Sequence, residues 1–552
     1  MSAARRNQVC NRLSILRLHF VSNVRAYVVC LAALAWLASA HAHGRSAPAR
    51  DALTAQEKRG KQIYTQGTSP SGKEILAYIG DASLEVPGSM MACANCHGLD
   101  GRGKPEGGVT PSDITWSALT KPYGVTRPGG RTHPSYTERA LELAVTRGLD
   151  PAGNRLLNIM PRYQMSNEDT SDLFAYLKRV GLDLDPGVTD DSITVGIVLP
   201  SRADLAGVGQ AIKAATTAYF DEINSRGGIY NRKLGLKFVS TGDTPQATSD
   251  NVSRFIRDEQ VFALTGAFIA GADRELAALF DRMEVPLVGP LTLYPQVGHP
   301  LNRHVFYILP GAEEQARALA SFACRQSQGG KTGAAVVSPD EEMSAGVAEA
   351  IRDQSRKGGC DATQTYSYQR GRFDAAVAAG ELSRTGKGVI FFLGTGEDAL
   401  AFIKEAEKLG WSPQVYLPDA SAGGAMLGAP QSFSRKIFLS FPTSPADQTA
   451  EGVEEFRALS TKYSLPEHHL AAQLSAFAAA KVLVEGLKRA GRDVSREKLI
   501  ETLEGLNGYG TGVTHAITYG PNRRVGASGA YVVTVDLEKK EFLPAGPWVS
   551  TD

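Results

Sequence analysis

Cys93-Ala94-Asn95-Cys96-His97 is the stretch from which the reading of this chain starts. Two thiols three residues apart, followed at once by a histidine, form the attachment signature of a covalent haem. The spacing has a chemical reason: both cysteines reach the two vinyl groups on one porphyrin edge, and the next imidazole is then held under the iron. Cys93 and Cys96 are read as thioether anchors of one covalent haem c, and His97 as its proximal ligand. A CxxC can also be a redox dithiol or half of a zinc site, but the chain has no second CxxC and no histidine pair at finger spacing.

A low-spin electron-transfer haem calls for a sixth ligand downstream, most often a methionine thioether. Met160 fits best, in the Pro-braced stretch Asn158-Ile159-Met160-Pro161-Arg162-Tyr163. A ligand loop must cross the haem face without being helical, and proline keeps it so. Met165 competes, but it directly precedes Ser166-Asn167-Glu168-Asp169. That run reads as a helix N-cap with acids in the first turn, which makes Met165 a hydrophobic staple. Met90 and Met91 lie beside the attachment loop.

Residues 51–182 as a whole resemble a class I cytochrome c. Arg59-Gly60-Lys61-Gln62-Ile63-Tyr64 falls on the expected first helix and Leu173-Phe174-Ala175-Tyr176-Leu177 on the last. In that family a glycine of one helix lets an aromatic of the other approach, and Gly60, Tyr64 and Tyr176 match that pattern; ordinary core aromatics are compatible with it too. Segment 65–92 lengthens the stretch between helix and haem motif and segment 98–128 is rich in Gly and Pro, and these long loops are expected to wrap the haem edge. Trp116 is expected to pack on the porphyrin or to reach a propionate through its indole N–H.

Residues 1–25 hold five arginines and no acid, and residues 26–40 are apolar and end in Ala38-Ser39-Ala40. This is a basic n-region, an apolar run too short for an ordinary span, and an A-x-A cleavage pattern. Residues 1–42 are therefore expected to be a cleaved signal peptide leading to the periplasm, with an uncleaved membrane anchor as the alternative. Its removal takes away five arginines and moves the formal charge from +1 to −4, which argues against nucleic acid as a partner. Cys10 and Cys30 leave with it, so only Cys324 and Cys360 remain beside the haem pair. An oxidising compartment allows these two to form a disulfide, worth about 3–4 kcal/mol; two buried free thiols are the alternative.

The remaining length exceeds one core. Residues 183–191 read as a short acidic linker with a Pro-Gly break, separating a haem domain at 43–182 from a second domain at 192–552. Apolar runs at 193–199, 234–240, 261–266, 287–289, 334–337, 389–393 and 414–417 alternate with helical patterns. One of these patterns carries Ile212, Ala215, Tyr219, Phe220 and Ile223 on one face and stops at Gly227-Gly228. Such alternation gives parallel sheets covered on both faces, in two lobes.

Glu222-Ile223-Asn224-Ser225-Arg226-Gly227-Gly228-Ile229, Val285-Pro286-Leu287-Val288, Gly394-Thr395-Gly396, Leu409-Gly410-Trp411 and Arg523-Arg524-Val525-Gly526 together carry a second resemblance. In this order they resemble the type I periplasmic solute-binding proteins of the branched-chain amino-acid family, over about residues 191–545. The implied fold class is an all-α cytochrome c domain followed by an α/β, two-lobed periplasmic-binding-protein type I domain. By position, the resemblance puts ligand contacts at Phe268, Ala270, Thr292, Tyr294, Ser338, Thr395 and Glu397. Phe268, Ile269 and Ala270 replace the usual hydroxyl-bearing run, and Leu291, Leu293 and Met343 are also departures. They imply a less polar pocket, for an amino acid or a small aliphatic or aromatic acid or alcohol-derived compound; plain packing of Phe268, Ile269 and Met343 is the alternative.

No catalytic assignment follows. Adjacent His468 and His469 point to different faces of a helix start, Gly394-Thr395-Gly396 lacks the lysine of a phosphate loop, and no serine elbow or HExxH is present. The expected function is electron transport through a His97/Met160 haem, with a periplasmic dehydrogenase or respiratory cytochrome as redox partner and the lobes making transfer depend on ligand. The alternatives are a receptor feeding an ABC permease, with the haem as redox sensor, and a haem enzyme with an open iron.

Overall fold

The computed structural model describes residues 53–80, 83–103, 108–126, 131–298, 300–326, 333–360, 364–418, 422–444 and 447–551. The leader expected over 1–42 lies outside them. From Gln56 to Asp552 the chain is one unit.

The first helix of the haem region, Ala55–Gln66, crosses the last, Asn167–Leu177, at Gly60. A Cβ at Gly60 would stand 1.9 Å from the carbonyl oxygen of Asp172 and 2.8 Å from the Cβ of Tyr176, so no larger residue fits. Tyr64 and Tyr176 are fully buried beside this contact, with ring centroids 5.4 Å apart. Arg59 closes its rim with a two-pronged pair to the buried Asp172 carboxylate, at 2.6 and 2.9 Å. Ser166 caps the last helix, its hydroxyl accepting from the Asp169 N–H at 3.1 Å.

The region is helical, and its long loops add small sheets that the sequence reading left as loops. Strands Leu84–Pro87, Leu76–Ile79 and Arg162–Gln164 form an antiparallel sheet in that order, with Ala77 opposite Tyr163. Val125–Thr126 pairs with Thr132–His133. The first of these sheets ties the chain just after Met160 to the segment leading into the haem motif.

From Ser192 the architecture is two parallel α/β layers. The first lobe has a five-stranded sheet in the order Val305–Phe306, Leu287–Val288, Ala263–Thr265, Ser192–Leu199, Lys233–Ser240, all parallel. The second lobe has an eight-stranded sheet: Gln364–Tyr368, Ala334–Pro339, Val389–Phe392, Gln414–Leu417 and Ile437–Phe441 run parallel, then Gly529–Asp536 pairs antiparallel and carries Glu541–Pro544 and Val549–Ser550. Continuous apolar strands such as Ala334–Pro339 are buried at every position because helices cover both faces. Helix Ala206–Ser225 ends at Gly227 and Gly228, both at positive φ; a Cβ on Gly228 would meet the Arg232 carbonyl oxygen at 2.0 Å.

Helix Leu470–Ala490 is long and apolar enough to cross a membrane by length and composition. Here it is a core helix of the first lobe, with Ala476–Ala480, Val482, Leu483 and Val484 buried. On the surface of the same lobe, Glu222 accepts from Lys462 at 2.6 Å and Arg226 at 2.8 Å, joining helix Ala206–Ser225 to helix Ala450–Tyr463.

Segment 183–191 is not a free linker. Asp183 accepts from Lys61 at 2.6 Å and from the Tyr176 hydroxyl at 3.1 Å. Two residues on, Asp185 accepts from the backbone N–H of Arg496 at 2.6 Å, at the start of helix Arg496–Glu504. The Arg496 guanidinium donates to the carbonyls of Val261 at 2.8 Å and Phe262 at 3.0 Å. Gly187 is at φ +86, and a Cβ there would strike the Gln260 carbonyl oxygen at 2.2 Å.

Cys324 and Cys360 are bonded in the structure, with Cα atoms 5.8 Å apart. They close helix Ala312–Gln326 onto the end of helix Glu342–Lys357.

Gly60→Ala is expected to destabilise the haem region by about 1–3 kcal/mol through overpacking. Denaturant unfolding followed by haem absorbance reads this, and an unchanged midpoint would contradict the crossing. Hydrogen bonds from Lys462 and Arg226 hold the Glu222 carboxyl down to about 2. A depressed carboxyl lends stability at neutral pH that is lost as pH falls from about 4.5 towards 2. Glu222→Gln therefore flattens that acid limb in thermal melts recorded against pH.

Candidate functional site

The haem motif forms a single helical turn, Cys93–His97, entered from the tight turn Gly88–Met91. The i, i+3 relation puts Cys93 and Cys96 on one side. Gly98, at φ 74, ends the turn, and its N–H donates to the Ala94 carbonyl at 2.9 Å. The Tyr64 hydroxyl donates to the Gly98 carbonyl at 2.6 Å, so the helix crossing also positions the motif.

Cys93, Cys96 and His97 line a cavity of about 390 Å³. Met160, Pro161 and Tyr163 line it as well, and Leu141, Val145, Leu173 and Leu177 supply apolar wall. The His97 Nδ1 lies 2.9 Å from the carbonyl oxygen of Ser112. A carbonyl only accepts, so Nδ1 carries the proton and the ring's lone pair is on Nε2, the tautomer an iron-ligating histidine needs. The Met160 loop is held by its neighbours: Arg162 donates to the carbonyls of Met160, Leu156 and Leu157, and the Tyr163 hydroxyl donates to the Met91 carbonyl at 2.5 Å.

Burial pushes the Cys93 thiol up to about 12. A redox dithiol needs the opposite poise, with a thiolate near neutral pH. Among the described residues no group of three or more His, Cys, Asp or Glu side chains is arranged to hold a metal ion. A cavity lined by leucines, two thiols, a pre-set imidazole and a thioether fits covalent haem.

The competing methionines separate. Met91 also lines the cavity, from the turn that leads into the motif, whereas Met90 is 65% exposed and Met165 is half-buried outside the lining. Trp116 is not part of the lining; it starts helix Trp116–Leu119, and the Lys178 ammonium sits over its ring, 5.5 Å from the centroid. Among the lining residues to which the sequence reading gave no role are Tyr163 and Arg131, the latter a cation paired at 2.9 Å with the buried Asp150. Burial works against the charge on Asp150, but hydrogen bonds from Asn154, Ala152 and Arg131 hold its carboxyl below the ordinary range.

A second cavity, of about 330 Å³, opens at the C-terminal ends of the first-lobe strands, where ligands of open α/β sheets bind. Phe268, Ala270 and Thr292 line it together with Pro290, Leu291, Leu293, Ile308, Leu309 and Ser475. Phe268 and Leu291 form a parallel bridge, which brings two segments distant in sequence to one wall. Gly289, at φ 63, lets helix Leu470–Ala490 and its Ser475 close over the strand end. Leu309 and Ser475 were not singled out from sequence, because their place depends on how that helix packs.

The other four candidate contacts lie elsewhere. Tyr294 packs against the apolar core of the second lobe. Ser338 is buried, and its hydroxyl donates to its neighbour Pro339 at 3.0 Å. Thr395 caps helix Gly396–Lys408, accepting from the Asp398 N–H at 3.1 Å, and Glu397 stands exposed in that helix's first turn. Ser338 lies near the end of one strand of the second lobe and Thr395 follows its parallel neighbour, and neither lines this cavity. At the rim, Arg274 of the first lobe pairs with Glu342 of the second at 2.7 Å.

Residues 192–541 match the periplasmic binding protein family and residues 57–181 the cytochrome c family. The chain belongs to the periplasmic binding protein family, with a c-type cytochrome domain joined ahead of it. Both are families of ligand binders and electron carriers rather than catalysts. Among curated proteins it is similar to "Leu/Ile/Val-binding protein homolog 3" of Brucella melitensis, 22% identical over 54% of this chain and 79% of that protein. It is also similar to "Leu/Ile/Val-binding protein BraC3" of Rhizobium johnstonii, 20% identical over 59% and 87%. A solved branched-chain amino acid ABC transporter protein from Thermus thermophilus with bound valine shares the binding-domain fold, with a TM-score of 0.54, 16% identity and coverage of 65% of this chain and 97% of that one. The family that covers residues 192–541 is one of periplasmic proteins, which supports a periplasmic location.

Arg162→Gln is expected to loosen the Met160 loop without touching the cysteines. Hydrogen exchange of residues 156–163 should speed up while covalent haem incorporation stays complete; unchanged exchange would show that Arg162 does not brace the loop.

Proposed function

We propose that this protein carries electrons in the periplasm through one haem anchored by Cys93 and Cys96 and ligated by His97 and Met160. The observation that supports this most is the meeting of all four side chains on one cavity. A haem held there supplies a ferric/ferrous one-electron couple. The chain's own residues orient and shield it: Ser112 sets the His97 tautomer, Arg162 and Tyr163 brace the Met160 loop, and the leucine wall excludes water. The electron partner is a periplasmic dehydrogenase or a respiratory cytochrome. In this reading residues 1–42 are the cleaved export signal, 43–182 the haem domain, 183–191 the connection and 192–552 the binding domain. A Cys324–Cys360 disulfide suits the oxidising compartment.

The binding domain takes a small molecule at the first-lobe cavity and makes electron transfer depend on it. The support is the connection, where Asp183 grips the haem domain and Asp185 the first lobe only two residues apart. A second reading has its own support: the curated relatives carry the names of Leu/Ile/Val-binding proteins. In it, the lobes deliver an amino acid or small organic acid to an ABC permease, and the haem reports redox state.

Visible spectroscopy of the exported full-length protein tests the haem assignment. The ferric protein is expected to show the weak far-red band of methionine–iron ligation and, once reduced, to bind CO slowly. Met160→Ala should abolish the band and admit CO rapidly. A spectrum unchanged by Met160→Ala would remove Met160 from the iron.

A further inference from the structure

The first-lobe cavity contains no charged side chain, and its polar capacity is nearly all consumed. Of its two hydroxyls, Thr292 donates to Asp273 and accepts from the Tyr294 N–H at 2.9 Å. Asp273 in turn accepts from the Gly271 N–H at 3.0 Å, so the nearest carboxylate is enclosed by its own loop. Ser475 is the hydroxyl left to meet a bound molecule. The rest of the wall is carbon from Phe268, Leu291, Leu293, Ile308 and their neighbours.

The helix N-termini around the cleft argue the same way. A helix start attracts anions when its own N–H groups are the dominant charge. Here helix Asp273–Met283 has Asp273 and Glu275 in its first turn, helix Glu342–Lys357 starts at Glu341 and Glu342, and helix Gly396–Lys408 has Glu397 and Asp398. The Arg274–Glu342 pair shows that the first two of these face each other across the cleft. Two cations near these helix starts are engaged as well, Arg274 with Glu342 and Arg370 with Glu341 at 3.2 Å. A carboxylate entering here meets acids rather than donors. An ammonium in the cavity meets a carbon wall, and burying either charge unpaired is costly.

We propose that the cavity takes a neutral, largely apolar molecule, an aliphatic chain or an aromatic ring with one hydroxyl or carbonyl end held by Ser475, and not a zwitterionic amino acid. This rests on the reading of residues 192–541 as a ligand-binding module, and it names the ligand class of that module. The side chain of a leucine-like ligand would fit the wall, but its ammonium and carboxylate would find no partners there.

Calorimetric titration of the full-length haem protein separates the possibilities. The probes are 1-butanol, 1-pentanol, 1-hexanol, benzyl alcohol and 3-methyl-1-butanol, set against L-leucine, which shares the last alcohol's branched chain, and against hexanoate and hexylamine. The alcohols are expected to bind, tightening about fourfold per added methylene until the cavity is full; leucine is expected not to bind at millimolar concentration. Ser475→Ala should weaken every alcohol about three- to tenfold while leaving the methylene increment intact. Leu291→Asp should abolish alcohol binding. Leucine binding in preference to 3-methyl-1-butanol, or hexanoate or hexylamine outcompeting 1-hexanol, would overturn the ligand class and leave the binding module standing. No binding by any probe would overturn the class and the module reading together, and alcohol binding insensitive to Ser475→Ala would overturn the assigned polar contact.

Discussion

The missing side chain at Gly60 is the constraint on which the haem region depends. Because the two terminal helices touch backbone to backbone there, Tyr64 and Tyr176 are carried into the same buried layer. The Tyr64 hydroxyl then reaches the carbonyl that ends the haem-attachment turn. A packing contact between residues more than a hundred positions apart thus decides where His97 sits. The same geometry places Asp172 under Arg59, and Tyr176 within reach of Asp183. Helix packing, ligand orientation and the path into the second domain are therefore one mechanical problem, solved around one glycine.

Much of the architecture was legible because it follows short-range chemistry. The haem motif is five consecutive residues, the Ser166 cap lies in a four-residue pattern, and each of the seven apolar runs named in the binding region overlaps a strand of the structure. The apolar Ile437–Phe441 is a strand that the sequence reading did not name; other missed strands have patterns that are weak by themselves. Gln364–Tyr368 is mostly polar, as an edge strand is, and Val305–Phe306 is two residues long. Gly529–Asp536 joins its sheet antiparallel after a long excursion through the first lobe, which no local periodicity announces. The site residues divide in the same manner. Cys93, Cys96 and His97 are read from spacing, whereas Arg131, Tyr163, Leu309 and Ser475 reach their cavities only through tertiary approach.

The ligand cavity illustrates how far position carries without chemistry. Three of the seven positions taken over from the solute-binding resemblance line one cavity, and the others belong to the opposite lobe or to its core. Relatives near 20% identity and solved structures with TM-scores just above 0.5 share the scaffold. Scaffold similarity at that level leaves the lining free to change, and here Phe268, Ala270 and Leu291 are part of it. A two-lobed domain recognises by what its strand ends display. The display here is carbon on one side and acids on the other.

The connection between the domains sets what any coupling would have to be. A flexible tether would let the lobes close without the haem domain registering it. In this chain Asp183 and Asp185 fasten opposite partners within two residues, Gly187 lies against the Gln260 carbonyl, and Arg496 locks the start of its helix to the strand-leading carbonyls of Val261 and Phe262. Burial raises the Asp185 carboxyl above its ordinary range, while the Arg496 N–H works the other way by favouring its charge. The haem domain is consequently an extension of the first lobe. The proposed ligand cavity lies in that same lobe, so on the proposed reading a closure of the second lobe would act on one body made of cavity and haem domain. What closure can alter is the field and solvent exposure around that body rather than the distance from haem to ligand, and redox potential is the property through which the two sites would communicate.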